Sequence, residues 1–112
     1  MSNALPLVVA NQKANKNWDE VENWIDETTE TVEKFPGTVI LCPATPFLKS
    51  ASAKIQQKSS KLALGAQTVS KFPQGPYTGE FAANQIKDIC TYAIIGHSER
   101  NKYFGETAED VI

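Results

Sequence analysis

The single histidine of the chain, His97, follows an apolar run, Tyr92-Ala93-Ile94-Ile95, and one glycine, and is trailed by Ser98, Glu99 and Arg100. Side chains just past the carboxyl end of a parallel strand face the mouth where α/β proteins gather reactive groups. With Ser98 capping a helical turn, the backbone amides there disfavour an imidazolium and leave a neutral ring that can donate a hydrogen bond to a polarised carbonyl. A second apolar run, Leu7-Val8-Val9-Ala10, leads into Asn11-Gln12-Lys13. If the extended conformation continues, Asn11 and Lys13 point the same way, and an amide beside an ammonium suits an anionic, oxygen-rich ligand. A solvated turn before a helix is the other reading of that stretch. Glu99 is placed to pair with a cation, with Lys13 as candidate; an exposed ion pair of little energetic weight is the alternative.

The elements that must position these groups are legible as an alternation. Four short runs read as strands: Leu7 to Ala10, Thr38 to Cys42, Leu62 to Gly65 and Tyr92 to Ile95. They are nearly continuous in apolar residues, as strands covered on both faces are. Trp18, Val21, Trp24, Ile25, Thr28 and Val32 recur at helical spacing and predict an amphipathic helix from Asn17 to Lys34. Asn17 with Glu20 resembles a capping box, and Pro36-Gly37 stops the helix. Thr45-Pro46 reads as an N-cap and first helical residue of a helix through Ile55. A third helix is expected from about Glu80 to Ile89. Units of roughly thirty residues in the order β-α-β-α-β-α-β fit either an open doubly wound sheet or a (β/α) barrel, and the pattern does not choose.

Residues Gln67 to Gly79 form a connection longer than the usual roughly 2–6 residues of a βα loop, which reads equally as a functional loop or a tolerated surface insertion. Thr107 with Asp110 looks like one more helix start, and few residues follow it; the expectation is that the chain ends inside an element and is the front part of a longer protein.

Composition narrows the class. The 112 residues carry a net charge of -2 and are 41% hydrophobic and 21% charged, which suits one globular domain spanning 1–112. A sequence pI near 5.4 and scattered lysines argue against a nucleic-acid partner or an anionic membrane surface. Cys42 and Cys90 do not make a disulfide framework or a zinc site, so a reduced cytoplasmic setting is expected. The first residues show no cationic leader, and Leu7 to Ala10 is too short for a signal core or a membrane span.

Taken in order, Asn11-Gln12-Lys13, Cys42-Pro43, Gly65-Ala66-Gln67, Thr78-Gly79-Glu80 and Gly96-His97-Ser98-Glu99-Arg100 resemble the motifs that end the first four strands of triosephosphate isomerases and close the third loop. The likeness covers nearly the whole chain. It implies a (β/α)8 TIM barrel of about 250 residues, of which this chain supplies the N-terminal half, strands one to four. It further implies interconversion of dihydroxyacetone phosphate and glyceraldehyde 3-phosphate through an enediolate, a step of glycolysis and gluconeogenesis, with no metal or organic cofactor. By the resemblance, His97 shuttles a proton between the substrate oxygens. Lys13 stabilises the enediolate and the phosphate, Asn11 positions the substrate, Glu99 holds Lys13, and Ser98 supports His97. Thr78 would sit in a loop that inserts into a partner subunit, which implies a homodimer. Gln12, Ala14 and Asn101 depart from the aromatic, methionine and second arginine common in the family, and bear on subunit contact more than on chemistry. The family's glutamate base, on a sixth strand, has no matching motif in these 112 residues, so the chain alone is expected to be inactive. The competing expectation is a non-catalytic half-barrel whose open edges make it self-associate or bind a partner chain.

Overall fold

A computed structural model describes residues 5–112 of the chain. Its elements run β1 (Leu7–Asn11), α1 (Trp18–Lys34), β2 (Thr38–Cys42), a 3-10 turn (Thr45–Phe47), α2 (Leu48–Gln57), β3 (Ala63–Ala66), α3 (Ala83–Ile86), β4 (Tyr92–Ala93), α4 (Ser98–Phe104) and α5 (Ala108–Val111). The four strands form one sheet in the order β1-β2-β3-β4, every neighbouring pair parallel. Strands adjacent in sequence and in space, joined by helical crossovers, are the arrangement of a barrel wall; a doubly wound sheet would reverse its strand order midway.

α1 forms where the sequence places it. Asn17 Oδ1 accepts from the Glu20 amide at 3.0 Å while Glu20 Oε1 accepts from the Asn17 amide at 3.1 Å, a reciprocal capping box. Val21, Ile25 and Val32 are buried on one face of α1 and meet Leu48, Ala51 and Ile55 of α2 and Leu41, Leu64 and Ala66 of the strands. Full burial of a side chain such as Ile25 contributes about 1.5–3 kcal/mol. Lys54 bridges Glu22 and Asp26 of α1 from α2, tying the two helices at the surface.

The opposite face of the sheet is different. In the register Leu7↔Thr38, Val9↔Ile40, Asn11↔Cys42 and Gly65↔Tyr92, the alternate residues Leu7, Val9 and Tyr92 lie opposite the helix-covered face, and they are exposed by 60%, 47% and 42%. Among the described residues this apolar inner face is open at its β1 and β4 sides, while Ile40 and Cys42 between them are buried, as half a barrel presents it.

Several boundaries differ from the sequence expectation, each for a local reason. β3 begins at Ala63 instead of Leu62, because the Leu62 amide is taken by Ser60 Oγ at 3.1 Å. β4 shortens to Tyr92–Ala93 beside the equally short β3, its last ladder contact being the Ile94 amide to Ala66 O at 2.8 Å. Thr45 is not an N-cap: it opens the 3-10 turn, Phe47 donates to Ala44 O, and α2 starts at Leu48 and extends to Gln57. The helix expected from Glu80 to Ile89 contracts to Ala83–Ile86. Its first residues are committed to the preceding loop, since the Glu80 amide donates to Tyr77 O and Phe81 O accepts from the Ser70 amide. Among the described residues no helix is long and apolar enough to cross a membrane.

Candidate active site

The carboxyl ends of β1, β3 and β4 converge on a cavity of about 240 Å³. Asn11, Lys13, Gln67, His97, Glu99 and Arg100 are among its walls, so residues some eighty positions apart in sequence share one mouth. Thr45 and Phe104 line it as well.

Lys13 reaches the mouth by a route other than the one its spacing predicts. β1 ends at Asn11, and Lys13 adopts φ +56, a left-handed conformation that is uncommon for a residue with a Cβ. Asn11 Oδ1 accepts from the Lys13 amide at 2.9 Å, and the Lys13 carbonyl accepts from Gln67 Nε2 at 2.8 Å. The turned backbone sends the ammonium to Glu99 Oε1, 2.7 Å away. That hydrogen bond holds the Glu99 carboxyl below its ordinary range, with the positive charge of Lys13 adding to it and partial desolvation opposing it.

His97 is set by the turn before α4. Gly96 has φ +68, a conformation glycine adopts without penalty, and the chain reverses there from β4 into the helix. The helix is capped by His97 itself, not by Ser98: His97 Nδ1 accepts from the Glu99 amide at 3.1 Å, while Ser98 occupies the first helical position and is exposed. The cap position has an extended backbone that aims its side chain back at the following amides, and the first helical position does not. An amide donating to Nδ1 requires the lone pair on that atom, so a neutral ring carries its proton on Nε2. Glu99 Oε2 lies 3.8 Å from Nδ1, placing one carboxylate against both the ammonium and the imidazole.

Arg100 Nε binds Glu106 at 2.9 Å, and the guanidinium lies 5.1 Å from the centre of the Phe104 ring, so both fix the last wall of the cavity. Thr78 is elsewhere. It lies in the exposed connection between β3 and α3, on a turn beside Gly79, and does not line the cavity. In the same connection Phe72 and Tyr77 stack with centroids 4.2 Å apart.

The family model for triosephosphate isomerase matches residues 6–112, a span that includes these groups. The chain belongs to the triosephosphate isomerase family. A triosephosphate isomerase of Alkaliphilus metalliredigens is 38% identical over 107 residues, covering 95% of this chain and 42% of the relative. One from Dictyoglomus thermophilum is 39% identical over 105 residues, 92% and 41% of the two chains, and one from Thermus thermophilus 37% over 102 residues, 90% and 40%. The chain thus spans about two-fifths of the length of the curated relatives it matches. The fold is the N-terminal half of a (β/α)8 barrel.

Sequence reasoning singled out Asn11, Lys13, His97 and Glu99, and these four meet at the mouth. It missed the hydrogen bonds made by Gln67 and the contributions of Thr45, Arg100 and Phe104 to the cavity. Gln67 had one available signal: a polar residue directly after the buried β3 end, at the same mouth as the other strand exits.

Proposed function

We propose that this chain supplies the electrophilic half of a triosephosphate isomerase site, acting on dihydroxyacetone phosphate and glyceraldehyde 3-phosphate. The single observation carrying the reading is the convergence of Lys13, Glu99 and His97 on one cavity in a chain of this family. Lys13 offers a cation to the substrate's phosphate and to the oxygen that gains charge as an enediolate forms. His97 presents Nε2–H, with Nδ1 engaged by the Glu99 amide, so a carbonyl oxygen placed beside the ring receives a hydrogen bond and then a proton. Asn11 positions substrate, Glu99 holds the ammonium, and Ser98 opens the helix behind the histidine. The proton on carbon must be removed by a base, which by the family resemblance is a glutamate on a sixth strand. No glutamate in the 112 residues matches that motif, so the chain by itself is expected to show no turnover.

The reading extends to a homodimer in the cytoplasm. The exposed connection holding Phe72, Tyr77 and Thr78 supplies the partner contact, and the free, buried Cys42 and Cys90 favour a reducing compartment. Replacing His97 or Lys13 in a complete barrel tests the chemistry: general acid–base groups contribute roughly 10²–10⁴-fold, and an unchanged rate for His97→Ala overturns the assignment.

A second reading is favoured by one observation. Leu7, Val9 and Tyr92 leave an apolar inner face exposed between two open edges, β1 and β4. A chain with such a surface self-associates or takes up a partner chain without doing chemistry. Sedimentation of the isolated chain as a well-folded monomer argues against it.

A further inference from the structure

We infer that two copies of this chain close into one eight-stranded barrel, β4 of each pairing in parallel with β1 of the other so that Tyr92 lies beside Leu7. Such closure presupposes the self-association of the second reading above and adds to it a partner, a symmetry and a register.

The surface left uncovered is of the size a stable dimer buries. A compact monomer of 12.3 kDa exposes about 6,100 Å², whereas this chain exposes 7571 Å². The excess, roughly 1,500 Å² per chain, is about twice what each partner contributes to a standard interface and falls in the obligate class. The radius of gyration, 15.0 Å, likewise exceeds the value of about 13 Å for a compact chain of this length. Leu7, Val8, Val9, Tyr92 and Ile95, at or beside the two edge strands, are among the large apolar side chains left exposed.

The edges offer backbone groups as well as apolar surface. The Thr38 amide donates to Pro6 O and the Gln12 amide to Cys42 O, so along β1 the even-numbered residues face β2 and the N–H and C=O groups of Leu7 and Val9 face the open side. The Ile94 amide donates to Ala66 O, so Ala93 turns its backbone groups away from β3. An occupant must therefore bring a strand to each edge. A second copy brings both at once: a two-fold axis along the barrel keeps every strand parallel, and two sheets of four strands make a closed barrel of eight.

Two features agree on the register. Asn11, Cys42, Gly65 and Tyr92 form one row across the sheet, and a Cβ on Gly65 would meet Cys42 Sγ at 2.9 Å and Tyr92 Cβ at 3.3 Å. The row falls from the last residue of β1 to the first of β4. A barrel of this type has a shear equal to its strand number, so each half displaces the row by about four residues, from Asn11 to Leu7. Hydrogen bonding gives the same answer. With Tyr92 beside Leu7 of the second copy, the outward Ala93 amide donates to Leu7 O and the Ala93 carbonyl accepts from the Val9 amide of that copy. An even displacement also keeps the inner side chains inside.

The test is sedimentation of the full chain together with disulfide trapping across the seam. A single species of twice 12.3 kDa is expected. Val9→Pro removes an amide that faces the open edge, and it is expected to halve that mass while the chain stays folded. When Leu7→Cys and Tyr92→Cys chains are mixed and oxidised, a disulfide linking positions 7 and 92 of different chains is expected. Val9→Cys mixed with Tyr92→Cys, two residues out of register, is expected to give none. A folded wild-type monomer overturns both the closed barrel and the second reading. Larger open-ended assemblies, or a dimer that yields no link between positions 7 and 92, overturn the closed barrel and leave the second reading standing. Should Val9→Pro fail to fold, the mass of the wild type and the trapped link decide.

Discussion

Lys13 Nζ and Glu99 Oε1 stand 2.7 Å apart across 86 positions of sequence, and this pair joins the exit of the first strand to the exit of the fourth. It closes the mouth of the half-barrel on the side where His97 caps α4, so the carboxylate that binds the cation also lies beside the imidazole. The pair is too exposed to serve mainly as a source of stability. Its consequence is orientation: a long, flexible lysine side chain is given one direction.

The Lys13 hydrogen bond lowers the folded-state midpoint of Glu99 from its ordinary 4.5. A depressed carboxyl contributes stability that is present above its unfolded value and is lost as pH falls through the folded value. Asp110, held down by Lys71 and by the Thr107 amide, and Asp26, held down by Lys58 and Lys54, act in the same direction below 3.8. The urea midpoint of the chain is expected to fall as pH drops below about 4.5, with Glu99→Gln showing a shallower acid slope. Identical slopes for the two proteins contradict the pairing.

Gln12 is only 7% exposed, and neither its Nε2 nor its Oε1 has a hydrogen-bond partner among the described residues. A buried polar group left unpaired costs about 1–3 kcal/mol. Gln12→Met, similar in length and apolar, is expected to stabilise the chain by about 1 kcal/mol or more, read as a higher urea midpoint at unchanged slope. A lower midpoint shows that the amide is satisfied.

Burial pushes the Cys42 thiol up to about 11, and the Cys90 thiol is raised for the same reason. Thiolate is the reactive form, so both are nearly inert at neutral pH. A disulfide reagent at pH 7.5 should modify neither cysteine in the native chain and both in guanidinium. Rapid native labelling of Cys42 contradicts its burial.

Asn17→Ala removes one half of the α1 capping box and is expected to destabilise the chain by about 1 kcal/mol. Chemical denaturation measures it, and no change shows the α1 start to be independent of its cap.

The sequence made the alternation of strands and helices and the long α1 legible, because these rest on local apolar periodicity and on caps such as Asn17; Asn11, Lys13, His97 and Glu99 stood out as polar residues just past apolar runs, and the barrel order of the strands followed only from the family resemblance. What it hid depends on partners distant in sequence. The turn at Lys13 is extended by pattern and left-handed in the fold, where its carbonyl accepts from Gln67, 54 positions away. The cap of α4 passed from Ser98 to His97 because the chain reverses at Gly96, directly before His97, so that the helix starts at Ser98. α3 shrank because Ser70, from the far side of the loop, claims Phe81 O. Thr78 lies on the exposed connection, and its expected part in subunit contact needs a second copy that one chain does not contain.

Turnover of a joined barrel shows whether His97 and Lys13 do chemistry. The chain is fused at Ile112 to the part of the Alkaliphilus metalliredigens relative that lies beyond the matched region, and assayed by coupled conversion of glyceraldehyde 3-phosphate. Isomerase activity is expected in the fusion, with a loss of roughly 10²-fold or more on His97→Gln, and none in the 112-residue chain alone. A folded fusion whose rate is unaffected by His97→Gln, or turnover by the unfused chain, contradicts the proposed function.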